Sequence, residues 1–431
     1  MIGTRNNRCE RKRQMIVIIG AGAAGLMAAI QAAEAGAEVT VLEHNEKPGK
    51  KIYITGKGRC NVTNDCTTDE FMREVPRNGR FLYSALSAFS PQDMMALLEE
   101  NGCPVEVQRG RRVFPRSEKA SDVTRTLARL CERREVRVLL NRQVTEILTE
   151  KSPEGAERVT GVRVRDGELF PAEAVILATG GMSYPATGST GDGYRLARSL
   201  GHTVNPLRPS LSALESSEGW PEKLQGLSLK NVAVTLRSGK KVLYHELGEM
   251  LFTHFGFSGP LVLEASCHLP EEGKEFSLSL DLKPGMTAEQ VDARLLREIG
   301  EGGKKQLSTM LRTMLPGSLA ELFPELCGLE AETPCHQITR AQRRTLGEKI
   351  KSLPLPVKGC RPLSEAVVTR GGVSVKEVNP ATMESRKTAG LYFAGEVLDV
   401  DAHTGGYNLQ IAFSTGALAG RKAAERTAAG K

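Results

Sequence analysis

Long apolar runs and paired cysteines are both missing from this 431-residue sequence. No segment approaches the roughly 18 consecutive apolar residues of a membrane-spanning helix, which excludes membrane insertion. The nine cysteines include no C-x-x-C pair, which excludes a disulfide framework and a structural zinc site. Free thiols are typical of a reducing compartment, so we predict a cytoplasmic protein that binds no metal.

Basic charge is scarce outside the first 14 residues, although the net charge is +7. Residues 1–14 hold five cations and one anion, and they lack the apolar core of a secretory signal. We predict a disordered basic tail there. The remaining excess is small for this chain length, so we expect no nucleic-acid partner.

The chain opens with the pattern of a βαβ unit. Residues 15–20 form a continuous apolar run typical of a buried parallel strand, and residues 23–35 have a helical pattern. A second strand covers residues 37–43 and ends in Glu43.

A glycine-rich turn joins the first strand to the helix, with the motif Gly20-Ala-Gly22-Ala-Ala24-Gly25. Glycines at this spacing tighten the turn, let backbone N–H groups approach a pyrophosphate, and let the helix pack on the sheet. Glu43 follows at the distance where an acidic side chain accepts hydrogen bonds from a ribose. Together these features predict an adenine dinucleotide site.

A second glycine-rich region near the C terminus favours FAD as the dinucleotide. Residues 390–396 form an apolar strand that ends in Gly395-Glu396, a pair that suits a ribityl hydroxyl. The sequence Gly406-Tyr407-Asn408-Leu409 then opens the last helix. A helix N-terminus there suits the electron-rich N1/O2 edge of a flavin.

The hydrophobic pattern changes along the chain and predicts an interrupted domain. The predicted fold class is α/β, with a Rossmann-type FAD-binding domain like that of glutathione reductase and an inserted β-barrel domain that carries a helical subdomain. The predicted parts are FAD-binding domain 15–202, inserted β-rich domain 203–286, helical subdomain 287–353 and FAD-binding domain 354–431.

Four segments together resemble the BaiN/YhiN group of bacterial flavoproteins, which are also described as aminoacetone-oxidase-like. They are Gly20 to Glu43, Thr55-Gly-Lys-Gly-Arg-Cys-Asn-Val-Thr-Asn64, Ala178-Thr-Gly-Gly181, and Gly395-Glu-Val-Leu-Asp399 with Thr404-Gly-Gly-Tyr-Asn408. The resemblance spans residues 15–425 and implies a split FAD domain with an inserted β-barrel. It also implies NAD(P)H-linked redox chemistry, because one member reduces unsaturated 3-oxo bile acids.

The basic loop from Lys50 to Asn64 is predicted to meet the pyrophosphate or the flavin, since its glycines let the backbone bend around an anion. Cys60 in this loop has no partner at a dithiol spacing, which favours an inert thiol. The predicted cofactor-binding residues are Gly20, Gly22, Ala24, Gly25, Glu43, Lys51, Gly58, Arg59, Cys60, Asn61, Val144, Ala178, Thr179, Gly180, Gly181, Gly395, Glu396, Gly406, Tyr407, Asn408 and Leu409.

His403 and Tyr407 are the predicted catalytic residues, because both lie at the helix placed at the flavin and carry a hydrogen-bond donor. A loop histidine near the flavin edge with no role in proton transfer explains His403 equally well. The aromatic segment 250–260 suits the wall of an apolar pocket, and core packing explains its composition equally well. We therefore predict reduction of an enone such as a 3-oxo-Δ4 steroid, with NAD(P)H as a transient partner. The alternatives are a flavin oxidase of a small amine and an RNA-acting flavoprotein.

Overall fold

The apolar run at residues 15–20 forms a buried strand in a computed structural model of the chain, which describes residues 15–151, 155–271 and 273–429. The basic tail predicted at residues 1–14 lies outside the described residues. Within the described residues, no helix is both long and apolar enough to cross a membrane.

The strands are numbered in chain order. They are β1 Met15–Ile19, β2 Glu38–Leu42, β3 Thr63–Asn64, β4 Val105–Gln108, β5 Arg112–Pro115, β6 Arg137–Leu139, β7 Val144–Lys151, β8 Glu157–Val164, β9 Leu169–Pro171, β10 Ala174–Leu177, β11 Val204–Ser210, β12 Leu214–Ser216, β13 Ser228–Ser238, β14 Lys241–Thr253, β15 Gly256–Ser258, β16 Ser277–Asp281, β17 Leu353–Leu355, β18 Val357–Cys360, β19 Val368–Val373, β20 Thr388–Ala389 and β21 Leu391–Phe393.

The α-helices are numbered in the same way. They are α1 Ala23–Glu34, α2 Thr68–Arg73, α3 Tyr83–Ala88, α4 Pro91–Glu100, α5 Ala120–Arg133, α6 Asp192–Ser199, α7 Pro260–Cys267, α8 Ala288–Gly302, α9 Leu307–Leu311, α10 Gly317–Leu326, α11 Arg340–Lys351 and α12 Tyr407–Ala429.

The chain divides into two units, of which the first contains residues 1–208 and 368–431 and the second residues 209–367. The sequence patterns placed the corresponding changes at residues 203 and 354. Strands β11 and β19 pair with each other. The first boundary between the units falls within β11, and the second lies directly before β19.

A five-stranded parallel sheet forms the centre of the first unit, in the order β21-β10-β1-β2-β6. Strands β1 and β10 are apolar throughout, because other elements pack against them, among them α1, α12, β8 and β9. Helices α1 and α12 pack closely, since a Cβ at Gly416 would lie 2.3 Å from the carbonyl oxygen of Ala24. A Cβ at Gly420 would lie 2.2 Å from that of Ala28.

The second unit contains a seven-stranded antiparallel sheet, in the order β17-β16-β13-β14-β15-β12-β18. Its two edge strands are consecutive in the sequence and are separated only by Pro356. Because one short backbone segment supplies both edges, the sheet curls until its edges meet, as in a barrel. Helices α8 and α11 of this unit start at capping boxes formed by Thr287 with Gln290 and by Thr339 with Gln342.

Candidate cofactor and active site

The glycine-rich turn after β1 contains two glycines that the fold requires and one that borders open space. Gly20 has φ +101°, and a Cβ there would lie 2.6 Å from the carbonyl oxygen of Ala178. A Cβ on Gly25 would lie 1.8 Å from the carbonyl oxygen of Gly20. A Cβ on Gly22 would meet no protein atom within 4 Å. The turn therefore keeps a free approach to its backbone at Gly22.

The N-terminus of α1 has the character of an anion site. Gly22 is its N-cap, no side chain caps it, and its first turn contains no acidic residue. By contrast, α2 and α4 begin with capping boxes whose side chains occupy the first backbone N–H groups. The exposed N–H groups and the helix dipole of α1 together favour a pyrophosphate.

Glu43 is buried directly after β2, and the protein holds its carboxylate in a fixed position. One oxygen accepts a hydrogen bond from the backbone N–H of Ala21 at 2.7 Å. The other accepts from the backbone and side-chain nitrogens of Asn45 at 2.8 and 2.7 Å. An ionised carboxylate accepts about four hydrogen bonds, so capacity remains for a ribose hydroxyl.

The segment Ala178–Gly181 follows β10 and meets the C-terminal motif. Gly180 has φ +74°, a conformation that favours glycine. A Cβ on Gly181 would lie 2.3 Å from Thr369 Oγ1 and 2.7 Å from Glu396 Oε1. Thr179 Oγ1 is buried and has no hydrogen-bond partner among the described residues.

Glu396, in the turn after β21, is the centre of a polar network. Its Oε2 accepts a hydrogen bond from Lys51 Nζ at 2.8 Å, and its Oε1 accepts from the Thr369 backbone N–H at 2.8 Å and Ser183 Oγ at 3.0 Å. Lys51 Nζ also donates to Ser183 Oγ at 2.7 Å. Burial acts to raise the pKa of Glu396, but Lys51 and the hydrogen bonds outweigh it and lower that pKa below its ordinary value.

The start of α12 lies against β3, which joins two motifs that are distant in the sequence. A Cβ on Gly406, where φ is +99°, would lie 2.4 Å from the carbonyl oxygen of Thr63. Asn64 donates from its Nδ2 to the carbonyl oxygens of Gly405 and Gly110, both at 3.1 Å. The buried Thr63 Oγ1 has no partner among the described residues.

The loop before β3 orients its predicted cofactor residues in different directions. Arg59 forms an ion pair with Glu118 at 2.9 Å and stacks over the ring of Phe114. Cys60 is fully buried, and burial raises the pKa of its thiol to about 12. Asn61 Oδ1 is buried without a partner among the described residues. Gly58 has φ +86° and lies in the exposed part of the loop.

The two predicted catalytic residues, His403 and Tyr407, both contact residues in or directly after α2. His403 Nδ1 lies 3.0 Å from Glu74 Oε2, and the His403 backbone N–H donates to the Glu74 carbonyl oxygen at 2.9 Å. The ring of Tyr407 packs edge-on against Phe71, with ring centroids 5.1 Å apart.

Asn408, Leu409 and Val144 are three further residues that the sequence predicts to bind the cofactor. Asn408 holds the preceding turn by accepting from the Ala402 N–H and donating to the Ala402 carbonyl oxygen. Leu409 is half-buried, and Val144 is buried on β7 opposite Val164.

The aromatic segment 250–260 of the second unit packs into the core of that unit. Met250, Phe252 and Phe257 are completely buried, and both phenylalanine rings lie about 6 Å from Trp220. Core packing therefore accounts for these three side chains.

The residues of the first unit fit FAD. Space at Gly22 lies beside the uncapped start of α1, and Glu43 presents a carboxylate after the next strand. Three buried oxygens without partners, on Asn61, Thr63 and Thr179, belong to motifs that the sequence associates with the cofactor. Such orphaned polar atoms are costly unless a ligand or water binds them. Among the described residues, no group of three or more His, Cys, Asp or Glu side chains could hold a metal ion.

Ser183 and Thr369 were missed by the sequence analysis, although both bind the Glu396 network. Neither lies in a glycine motif that the sequence analysis singled out. The signal that points to the second of them is the segment Val368–Val373, because a Thr-Arg-Gly-Gly sequence interrupts an otherwise apolar strand.

The fold and the site define a flavoprotein oxidoreductase with a Rossmann-type FAD-binding domain. The family model described as "HI0933-like protein Rossmann domain" matches residues 14–422, and the chain belongs to this family.

The chain resembles two kinds of curated relative along nearly its whole length. It is 36% identical to the 3-dehydro-bile acid delta(4,6)-reductase of Clostridium scindens, over 95% of this chain and 99% of the relative. It is 34% identical to the ribosomal RNA dihydrouridine synthase of Haemophilus influenzae, over 93% of this chain and 96% of the relative.

A solved structure supports the fold. The 3-ketosteroid-delta4-(5alpha)-dehydrogenase of Rhodococcus jostii RHA1 has a TM-score of 0.51 and 15% identity, with 98% of this chain and 100% of that chain covered.

Proposed function

We propose that this chain uses NAD(P)H and bound FAD to reduce a carbon–carbon double bond conjugated to a carbonyl, with a bulky apolar enone such as a 3-oxo-Δ4 steroid as the first candidate substrate. The observation that carries the proposal is the meeting of β3 with the Gly405–Gly406 turn at the start of α12. That helix start has no acidic residue in its first turn, so it suits a flavin edge that becomes electron-rich on reduction.

The reaction class follows from the chemistry that both relatives' names imply. A 3-oxo-Δ4 steroid contains a C=C bond conjugated to its C3 carbonyl. Uridine contains a C5=C6 bond conjugated to its C4 carbonyl, and dihydrouridine lacks that double bond. In either molecule the carbonyl absorbs the negative charge that develops when a hydride reaches the β-carbon.

The chain's own groups would bind and polarise such a substrate. Bound FAD would supply the hydride. The N-terminus of α12 would hold the flavin, and Lys51 and Glu396 would fix the turn that meets its ribityl chain. His403 or Tyr407 would donate a hydrogen bond to the substrate oxygen or a proton to its α-carbon.

Anaerobic reoxidation of the reduced flavin tests this function. The purified protein should release FAD, not FMN, on heating, and NADH or NADPH should bleach its visible absorbance. A 3-oxo-Δ4 steroid should then restore that absorbance without oxygen. His403→Ala or Tyr407→Phe should slow this step about a hundredfold if that residue supplies the donor.

Two results would count against the proposal. Wild-type rates in both variants would show that neither residue is the donor. If no enone reoxidises the reduced flavin, but a small amine reduces the flavin and oxygen reoxidises it rapidly, the oxidase is favoured.

A uridine in RNA is the second candidate substrate, and an exposed basic hairpin favours it. The tip between β4 and β5 carries Arg109, Arg111 and Arg112, all exposed. Arg111 pairs with Glu70, whereas Arg109 and Arg112 form no ion pair with any described residue.

The tip of this hairpin is also connected to the proposed flavin site, because Asn64 donates hydrogen bonds to Gly110 at the tip and to Gly405 in the turn before α12. Our expectation of no nucleic-acid partner rested on the small net charge of the chain outside residues 1–14, and a net charge does not report a local cluster such as this hairpin.

Removing two positive charges from this hairpin distinguishes RNA from a steroid as the substrate. Arg109→Ser with Arg112→Ser should weaken binding of unmodified ribosomal RNA about tenfold at low salt and flatten its salt dependence, because two phosphate contacts are lost. FAD content and steroid reduction should not change. The matched control is Lys240→Ser with Lys241→Ser, which removes two exposed charges from the hairpin of β13 and β14. Equal RNA affinity in both double variants would remove RNA from consideration.

A further inference from the structure

Asn45 connects the proposed ribose carboxylate to a segment that is distant in the sequence. Its backbone N–H and its Nδ2 both donate to Glu43 Oε1, at 2.8 and 2.7 Å. The same Nδ2 also donates to the carbonyl oxygen of Thr187 at 3.3 Å, although Thr187 is 142 residues away. Lys50 Nζ donates to Asn45 Oδ1 at 3.4 Å. One half-buried amide group is therefore shared between Glu43 and the turn at Thr187.

The turn after Thr187 packs directly on Asn45 because its next residue has no side chain. Gly188 has φ +101°, and a Cβ there would lie 2.2 Å from Asn45 Nδ2 and 2.6 Å from His44 Nε2. A larger residue at position 188 would have to move the turn away from both side chains. The contact with Asn45 thus requires glycine, because of the limited space as well as the positive φ.

The turn belongs to a segment, residues 182–191, whose other end contacts the Glu396 network. Ser183 Oγ donates to Glu396 Oε1 at 3.0 Å and accepts from Lys51 Nζ at 2.7 Å. The ribityl chain is proposed to lie at Glu396 and the adenosine ribose at Glu43. The 182–191 segment therefore reaches from the ribityl part of the proposed FAD site to its adenosine part.

We propose that Asn45 is a positioning residue that couples binding of the adenosine half of FAD to ordering of the 182–191 segment. A ribose hydroxyl that donates to Glu43 holds this carboxylate in place, and the carboxylate holds the Asn45 amide. The amide in turn holds the carbonyl oxygen of Thr187, and with it the start of the glycine turn. This role rests on the FAD-binding part of the proposed function and is independent of the substrate.

The coupling acts in both directions by thermodynamic linkage. If a bound ribose favours the ordered segment, the ordered segment raises the affinity for the ribose by the same factor. Substitutions on either side of the contact, at Asn45 or at Gly188, should therefore weaken binding of adenosine. Their effects should not add, because each substitution removes the same contact.

Amide hydrogen exchange in the presence of ADP, which carries the adenosine half without the flavin, measures the coupling. In wild-type apoprotein, saturating ADP should slow exchange in residues 186–190 about tenfold, because the turn opens less often. Asn45→Ala should weaken ADP binding about tenfold, the effect of one lost hydrogen bond to a charged group. At saturating ADP this variant should show no slowing in residues 186–190, a loss that a residue which only shapes the ribose site would not cause.

Asn101→Ala is the matched control. Asn101 is also half-buried in the same unit, and its Nδ2 donates to the carbonyl oxygen of Leu97 at 2.8 Å at the end of α4. This variant should bind ADP and slow its exchange as the wild type does. If Asn45→Ala does not fold, Gly188→Ala tests the same contact from the other side, because its Cβ would displace the turn.

Two results would overturn the coupling. One is wild-type apoprotein in which ADP does not slow exchange in residues 186–190. The other is Asn45→Ala protein in which saturating ADP slows this exchange as much as in the wild type. Neither measurement involves a substrate, so a wild type that reduces no enone would contradict the proposed function and leave the coupling standing.

Discussion

Gly22→Val protein should purify in a folded form but without FAD. Gly22 has φ −79° and ψ −169°, an extended conformation that valine adopts readily, and a Cβ there meets no protein atom. The added methyl groups would occupy the approach to the first N–H groups of α1. Charge-assisted hydrogen bonds contribute about 1.5–3 kcal/mol each, so loss of two should weaken FAD binding at least about a hundredfold. Equilibrium titration of apoprotein with FAD measures this loss.

Two other glycine variants make the result specific. Gly219→Val is the matched control, because Gly219 is also a helix N-cap with negative φ and no neighbour within 4 Å. That variant should bind FAD normally. Gly25→Ala should instead lower the free energy of unfolding by about 3 kcal/mol, because its Cβ would clash with the backbone of Gly20. Normal FAD affinity in Gly22→Val would contradict our placement of the pyrophosphate.

The sequence alone predicts the local backbone structure where a contiguous motif determines it. The spacing of Gly20, Gly22 and Gly25 predicts a strand, a turn and a helix, because close packing of the turn requires glycine at the first and third positions and the second leaves its backbone accessible. The structure shows β1 and α1 joined by that turn. The alternating residues on either side of Gly239 likewise predict a hairpin, and the structure shows β13 paired with β14 there.

The partners of charged side chains were not accessible from the sequence. Lys51 contacts Ser183 and Glu396, which are 132 and 345 residues away, and no local pattern encodes such a meeting. Arg59 lies in the same basic loop, yet its ion pair is with Glu118. Composition likewise left pocket and core equally good explanations for segment 250–260, because both need apolar aromatic residues.

Lys51→Met should produce the largest loss of stability among the polar substitutions of the site. The side chains of Lys51 and Glu396 are 23% and 20% exposed, so removing the cation leaves a mostly buried carboxylate without its counter-charge. Breaking a buried ion pair in this way typically lowers the free energy of unfolding by 3–5 kcal/mol. Urea unfolding followed by far-UV circular dichroism at pH 7 measures the loss. Lys51→Arg should retain most of the stability.

The pH dependence of this loss identifies its cause. In the wild type the lowered pKa of Glu396 contributes stability above the ordinary carboxyl pKa of 4.5, and this contribution is lost as the pH falls through the lowered value. In Lys51→Met we expect burial to raise that pKa above 4.5. The carboxyl group then contributes stability at low pH that is lost as the pH rises through the raised value, so the variant should be closest to the wild type near pH 5 and furthest from it near pH 8.

Adding Glu396→Gln to Lys51→Met tests whether the carboxylate is responsible, because glutamine keeps the side-chain shape without an ionisable proton. The double variant should regain stability at pH 8 relative to Lys51→Met and lose the extra pH dependence. The coupling between the two substitutions should then be a few kcal/mol at pH 8 and small near pH 5. Equal destabilisation of Lys51→Met at both pH values would contradict this account, since lost packing of the lysine stem does not depend on protonation.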